Sequence, residues 1–232
     1  MVEHAEAAGV AELWLWEDCF LEGGLTTAAA ALAWSERLVV GVGLLPVPLR
    51  NPALAAMEME IATLARLFPD RLVVTLGHGV QEWMAQVGSS VDSPLTLLRE
   101  HTVAVRSLLA GETVDVSGRY VHLDRIALDW PPPCPPRLLV GGRGPRTVAL
   151  AGELADGVLL DSVVDAEGVA RARALVGDAH VAVYTEVDPH DLTDLAARME
   201  VLAAAGADTV ILQGTGTSPD PRPLVDALGT LP

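Results

Sequence analysis

A parallel α/β fold is predicted by three observations on the 232-residue sequence: short β-type runs alternate with longer Ala- and Leu-rich segments, several of the runs are apolar throughout, and glycines and prolines punctuate the junctions. Alternation of this kind marks parallel strands joined by crossover helices, and an uninterrupted apolar run suits a strand covered on both faces. A layered sheet and a (β/α) barrel satisfy these observations equally.

Seven strands are expected, at Leu13 to Glu17, Leu38 to Leu45, Leu72 to Leu76, Arg137 to Val140, Gly157 to Leu160, His180 to Val187 and Thr209 to Gln213. Between them the apolar spacing predicts helices over 2–8, 26–36, 52–67, 94–110, 145–154, 165–176 and 191–205. Pro52 and Pro94 stand near helix starts, where a missing N–H costs nothing, and Gly9, Gly111 and Gly206 stand just past helix ends. From Gly111 to Pro136 the rhythm breaks. That stretch reads as an excursion ending in an extended proline connector, Trp130 to Pro136. The alternation resumes on both sides of it, so residues 1–232 are expected to form one domain.

Composition narrows the chemistry. The chain carries 15 basic residues, all arginine, against 31 acidic ones, for a net charge of −16. With no lysine, Schiff-base and pyridoxal chemistry are closed, as is the lysine-bearing phosphate loop. The acidic balance argues against nucleic acid, whose phosphates need clustered cations. Cys19 and Cys134 lie far apart without ligand spacing, so neither a disulfide framework nor a metal site is expected. No leader-like start or membrane span is read, which points to a cytoplasmic protein.

Sites in parallel β/α folds form where strands end. The first run opens into Glu17-Asp18-Cys19-Phe20, two acids and a thiol, with an acidic helix-capping loop as the alternative. Gly41 and Gly43 interrupt the second run, marking a bulge or a close approach by a ligand. The third run ends in Gly77-His78-Gly79, an accessible histidine suited to acid/base or hydrogen-bonding work or else a plain surface residue. The fourth ends in Gly141-Gly142-Arg143-Gly144-Pro145-Arg146-Thr147 and leads into a helix. Its backbone N–H groups, helix dipole and two arginines make it the best phosphate candidate. Trp14, Trp16, Trp34 and Trp130 read as core or interface residues, Met57, Met59 and Ile61 as one helix face, and the other five histidines as structural.

Taken in order, these pieces resemble the luciferase-like flavin and deazaflavin oxidoreductases, above all their F420-dependent branch. The carriers are Ala5 to Gly9 leading to Leu13 to Asp18, Leu38 to Leu45 with Arg50-Asn51-Pro52, Leu76 to Gly79, Leu108 to Glu112 with Gly118-Arg119-Tyr120, and Gly141 to Pro145 with Ala155-Asp156-Gly157. The resemblance implies a TIM-type (β/α)8 barrel with F420, or alternatively FMN, at the carboxyl ends of the strands. It implies an acid near the ring at Asp18, a bulge with a non-proline cis peptide at Gly43 and Leu44, and a phosphate turn at Gly141 to Pro145. The candidate catalytic residues are therefore Asp18, His78 and Cys19. The candidate cofactor-binding residues are Gly43, Leu44, Leu45, Gly77, Gly79, Gly141, Gly142, Arg143, Gly144 and Pro145.

Two departures from the family pattern matter. Cys19 stands where the sugar-phosphate dehydrogenases of the group have a histidine, and Val80 follows Gly79 in a loop where they use a glutamate, which argues against sugar-phosphate oxidation. Family members also begin with a strand ahead of the helix that opens here at Val2, so the first barrel strand is expected to be lacking. An open barrel exposes strand edges, which predicts a homodimer or a segment filling the gap. The activity implied is hydride transfer with a small organic substrate. The alternatives are an FMN-dependent monooxygenase and a non-catalytic or truncated flavin-binding paralogue.

Overall fold

The computed structural model describes residues 1–52, 56–161 and 164–230, and the side chains of 56–58 stand outside the description as well. In chain order the elements begin with α1 (Val2–Ala7), β1 (Glu12–Leu15), α2 (Gly24–Ala33), β2 (Val39–Pro46), α3 (Ala56–Leu67), β3 (Leu72–Gly77), α4 (Gln81–Gln86) and α5 (Pro94–Leu109). They continue with β4 (Val114–Ser117), β5 (His122–Ile126), β6 (Arg137–Gly141), α6 (Pro145–Leu154), β7 (Gly157–Leu160), α7 (Ala166–Val176), β8 (His180–Glu186), α8 (Leu195–Ala204), β9 (Thr209–Gln213) and α9 (Arg222–Leu228). A short 3-10 turn, Val47–Leu49, follows β2.

Seven strands pair in parallel in the order β1-β2-β3-β6-β7-β8-β9. Alternation of side chains across a strand divides the apolar residues between two cores. Val40, Val42, Val74, Leu76, Val140, Val158 and Val183 face the helices, whereas Val73, Leu139, Leu159, Ala182, Tyr184 and Ile211 face one another inside, with Trp14 partly buried beside them. The sheet is curled: a Cβ added at Gly43 on β2 would meet Leu159 on β7 and the Tyr184 hydroxyl on β8, strands that are not its neighbours. The result is a nearly closed barrel with helices outside.

Closure fails at one seam, where no pairing joins β1 to β9 among the described residues. All six residues of β3 and all four of β7 are buried, but β1 is half-buried throughout and β9 buries Ile211 alone. Between the two end strands lies a cavity of about 970 Å³.

The seven expected strands are all present, with shifted ends. The first stops at Leu15, so Glu17 belongs to the following loop. The helix expected over 26–36 runs from Gly24 to Ala33, and that over 191–205 begins only at Leu195. Residues 53–55 of the third expected helix, and the side chain of Met57, lie outside the described residues. Gly9, Gly111 and Gly206 end helices at positive φ, as their positions lead one to expect.

Four elements go beyond the sequence reading. Helices α4 and α9 have six and seven residues, too few to show a helical period. Within the excursion, β4 and β5 form an antiparallel hairpin whose turn is held from outside. Both carboxylate oxygens of Glu100 on α5 accept there, from the backbone N–H groups of Arg119 (2.8 Å), Tyr120 (2.8 Å) and Val121 (3.0 Å). Burial opposes ionisation of Glu100, but the three donors hold its carboxyl below the usual range. Of the four tryptophans expected in the core or at an interface, one is at the core. Trp16, Trp34 and Trp130 are exposed and only Trp14 packs inward, its ring lying over Gly41 where a side chain would otherwise sit. Met59 is likewise exposed while Ile61 is buried, because the two lie on different sides of α3.

Candidate functional site

The barrel mouth is built around a break in the β2–β3 ladder. Register shifts between Val42 and Leu45, and the Gly43–Leu44 peptide is cis. The Gly43 carbonyl accepts a hydrogen bond from the Tyr184 hydroxyl at 3.0 Å, and burial pushes that phenol far up, so it stays protonated as a donor. Leu44 is displaced across the mouth. A Cβ at Gly77 would stand 2.6 Å from its methyl carbons, and one at Gly141 2.4 Å. The glycines ending β3 and β6 thus make room for Leu44. Beside Gly141, Thr75 carries a buried hydroxyl with no hydrogen-bond partner among the described residues.

On one side of this wedge lies the turn from β6 into α6. Gly142 adopts φ 153°, and a Cβ there would press on the Thr147 side chain at 2.7 Å, whereas the space around Gly144 is open. Among the described residues no side chain caps the N-terminus of α6, and Pro145 occupies its first turn. Arg143 and Arg146 are exposed. Every other described arginine has an ion pair, a hydrogen bond or an aromatic ring; these two have none among the described residues. Within the turn the Gly142 N–H donates to the Leu159 carbonyl and those of Thr147 and Val148 to the Gly144 carbonyl, which leaves the N–H groups of Arg143, Gly144 and Arg146, with a helix dipole and two uncommitted guanidiniums, as a donor set that suits an anion. His78, at the end of β3, reaches the same turn, with its Nε2 3.2 Å from the Thr147 hydroxyl.

The opposite side is acidic. Glu17 forms an ion pair with Arg50 and accepts the Gly24 N–H at 2.8 Å, so it ties the loop after β1 to the exit from β2. Asp18 is half-buried, and loss of solvent pushes its carboxyl up. Burial, together with the charges of Asp18 and Glu17, pushes the Cys19 thiol up, so Cys19 is not held as a reactive thiolate. No hydrogen bond or ion pair joins Asp18 or Cys19 to His78 among the described residues. The two loops meet instead through Phe20 and Trp83, whose ring centres are 6.5 Å apart.

Three members of this mouth escaped the sequence reading. Tyr184 was hidden inside an apolar run, and its partner Gly43 is 141 residues away. Asp161 follows β7 directly and lies within electrostatic reach of Tyr184, as Asp18 does. Its place after a strand end was the available signal. Thr75 was covered by the same apolar reading of its strand.

Comparisons with known proteins bear on the family and the fold. A family model described as luciferase-like monooxygenase matches residues 1–182. Among curated proteins, a 5,10-methylenetetrahydromethanopterin reductase from Methanolobus tindarius is 28% identical over 158 residues, covering 68% of this chain and 48% of the relative. An F420-dependent hydroxymycolic acid dehydrogenase from Mycobacterium tuberculosis is 29% identical over 226 residues, covering 90% of this chain and 59% of the relative. The chain therefore spans about half the length of these relatives. Among solved structures, an F420-dependent secondary alcohol dehydrogenase in complex with an F420-acetone adduct superimposes with a TM-score of 0.85 at 18% identity, covering 98% of this chain and 91% of the other.

Proposed function

The chain belongs to the luciferase-like monooxygenase family, and from that premise we propose that it is an F420-dependent oxidoreductase acting on a small organic substrate. The observation that carries the reading is the uncapped α6 turn with its two uncommitted arginines, in a chain of net charge −16. A phosphate-bearing cofactor fits that donor set. Arg143, Arg146 and the N–H groups of Arg143 and Gly144 within the Gly141 to Pro145 turn would hold its phosphate, and the Gly43–Leu45 bulge with the strand-end residues Gly77 and Gly79 would border its ring. Relatives named as F420-dependent favour the deazaflavin over FMN.

When bound, the cofactor supplies the hydride acceptor or donor, and the protein contributes binding, orientation and proton handling. Asp18 is the residue for the proton. As a substrate alcohol gives up a C–H bond as hydride, its hydroxyl proton passes to an Asp18 carboxylate oxygen, and the reverse direction returns it. The raised affinity of this carboxyl for protons suits that exchange. His78, anchored at Thr147, orients the turn or donates a hydrogen bond there. Cys19 acts as a neutral neighbour of Asp18. The unpaired edges of β1 and β9 support a homodimer as part of this reading, and a monomeric mass by light scattering would remove that part.

The test is fluorescence titration with F420 and with FMN. Micromolar binding of F420 is the expected result, tighter binding of FMN with oxygen consumption would favour the monooxygenase, and no binding of either would end the reading.

A further inference from the structure

We propose that Phe20 and Trp83 form a gate across the barrel mouth, which a ligand must part to reach the Gly43–Leu45 bulge and which closes again behind it. Its ligand rests on the oxidoreductase reading, whereas the gate itself belongs to two loops. In the sheet order β2 lies between β1 and β3, so a contact between the loops that follow β1 and β3 spans the carboxyl end of β2, where the bulge is. Phe20 comes from the first loop and Trp83 from α4 in the second. Their rings meet edge to face, with 6.5 Å between centres and 67° between planes. Helix α4 rests on the end of β2: a Cβ at Gly79 would lie 3.2 Å from Pro46 and 3.1 Å from the Met84 side chain.

Both sides of the contact are built to move. Of the six residues of α4, Met84 alone is buried. Glycines at positive φ flank the helix, Gly79 at 66° and Gly88 at 72°, and the space around Gly88 is open. The Gln81 amide donates back to the His78 and Gly79 carbonyls at 3.0 and 3.3 Å, so it ties α4 to its own loop and not to the opposite one. A short helix with so little buried apolar surface stands at the low-stability end of a fold. Across from it, Phe20 is held at φ 73°, a left-handed backbone that bulky side chains rarely adopt, while 68% of the residue stays exposed. Burial does not repay that conformation; what it achieves is to aim the ring at Trp83. Two rings can also part without stranding a polar group, as repeated opening requires.

Hydrogen exchange on the protein without ligand reads the gate first. The Met84, Val87 and Gly88 N–H groups donate within the α4 segment. Loss of the ring contact in Phe20→Ala should speed their exchange about threefold to tenfold, which is what an aromatic pair contributes, and leave β3 unchanged. Stopped-flow mixing with F420 then compares Phe20→Ala, Trp83→Ala and the double variant. Association and dissociation rates should both rise by about that factor, so that Kd barely changes, and the double variant should match the single ones. Phe20→Tyr, which keeps the ring, should keep the wild-type rates. Unchanged exchange, a rate change confined to dissociation, or additive single effects would overturn the gate. If F420 binds at wild-type rates in every variant, the gate fails and the oxidoreductase reading stands. Faster exchange in a protein that binds no F420 keeps the gate and ends that reading.

Discussion

The two rims of the barrel mouth are opposites. The rim after β6 is glycine-rich and basic, with Arg143 and Arg146 uncommitted and the α6 N-terminus uncapped. The rim after β1 is acidic and aromatic, and its one arginine, Arg50, is neutralised by Glu17. The Leu44 wedge and the Tyr184 to Gly43 hydrogen bond separate them. In a chain of net charge −16, this asymmetry means that, on the proposed function, an anion and a proton are managed on different sides of one opening. A cofactor phosphate can be held strongly without placing a cation beside the reacting centre.

Three changes break or sharpen that contrast, in descending size. Asp18→Asn removes the proton-handling group from the acidic rim. Turnover should fall by about 100-fold to 10,000-fold with F420 affinity little changed, because the proposed phosphate site is on the other rim. Steady-state kinetics with a cofactor titration checks both, and a loss of cofactor affinity equal to the loss of rate would merge the two rims into one.

His101 on α5 lies behind the acidic rim. It is fully buried with neither ring nitrogen partnered among the described residues, and burial, aided by the charge of Arg50, lowers its pKa from 6.5 to about 4. A depressed histidine leaves the folded state short of protons relative to the unfolded chain. Its share of stability is therefore whole above pH 6.5 and is lost as the pH falls toward 4, by about 3 kcal/mol in all. Urea unfolding of the wild type and His101→Leu at pH 7.5 and pH 4.5 should show that share disappear in the variant. An equal pH response in both would contradict it.

The smallest change is on the basic rim. Gly141→Ala sets a methyl group against Leu44, an overpacking that should cost about 1–3 kcal/mol. Adding Leu44→Ala should relieve it in a double-mutant cycle, and strict additivity would show that the wedge is not what these glycines serve.

Much of the fold was legible because buried parallel strands write themselves as apolar runs, and all seven sheet strands stand where such runs occur. The hairpin of β4 and β5 was not, since its turn depends on Glu100, whose carboxylate reaches it from 19 to 21 residues earlier. The site divides in the same way. Asp18, His78 and the Gly141 to Thr147 turn follow strand ends, a position that sequence order alone reveals. The purpose of Gly77 and Gly141 was not legible, because the side chain that fills their space comes from the bulge on another strand. Tyr184 and the Glu17–Arg50 pair are likewise products of the closed geometry, joining residues that chain order keeps apart.

The central claim is that the α6 turn binds the cofactor's phosphate. Equilibrium titration of the wild type and of the Arg143→Ala/Arg146→Ala double variant with F420, and with a deazaflavin truncated before its phosphate, tests it most directly. Two charge-assisted contacts should give the wild type a preference of about 100-fold for the phosphorylated form, and the variant should bind the two forms nearly alike. A preference that survives in the double variant, or one that is absent from the wild type, would contradict the account.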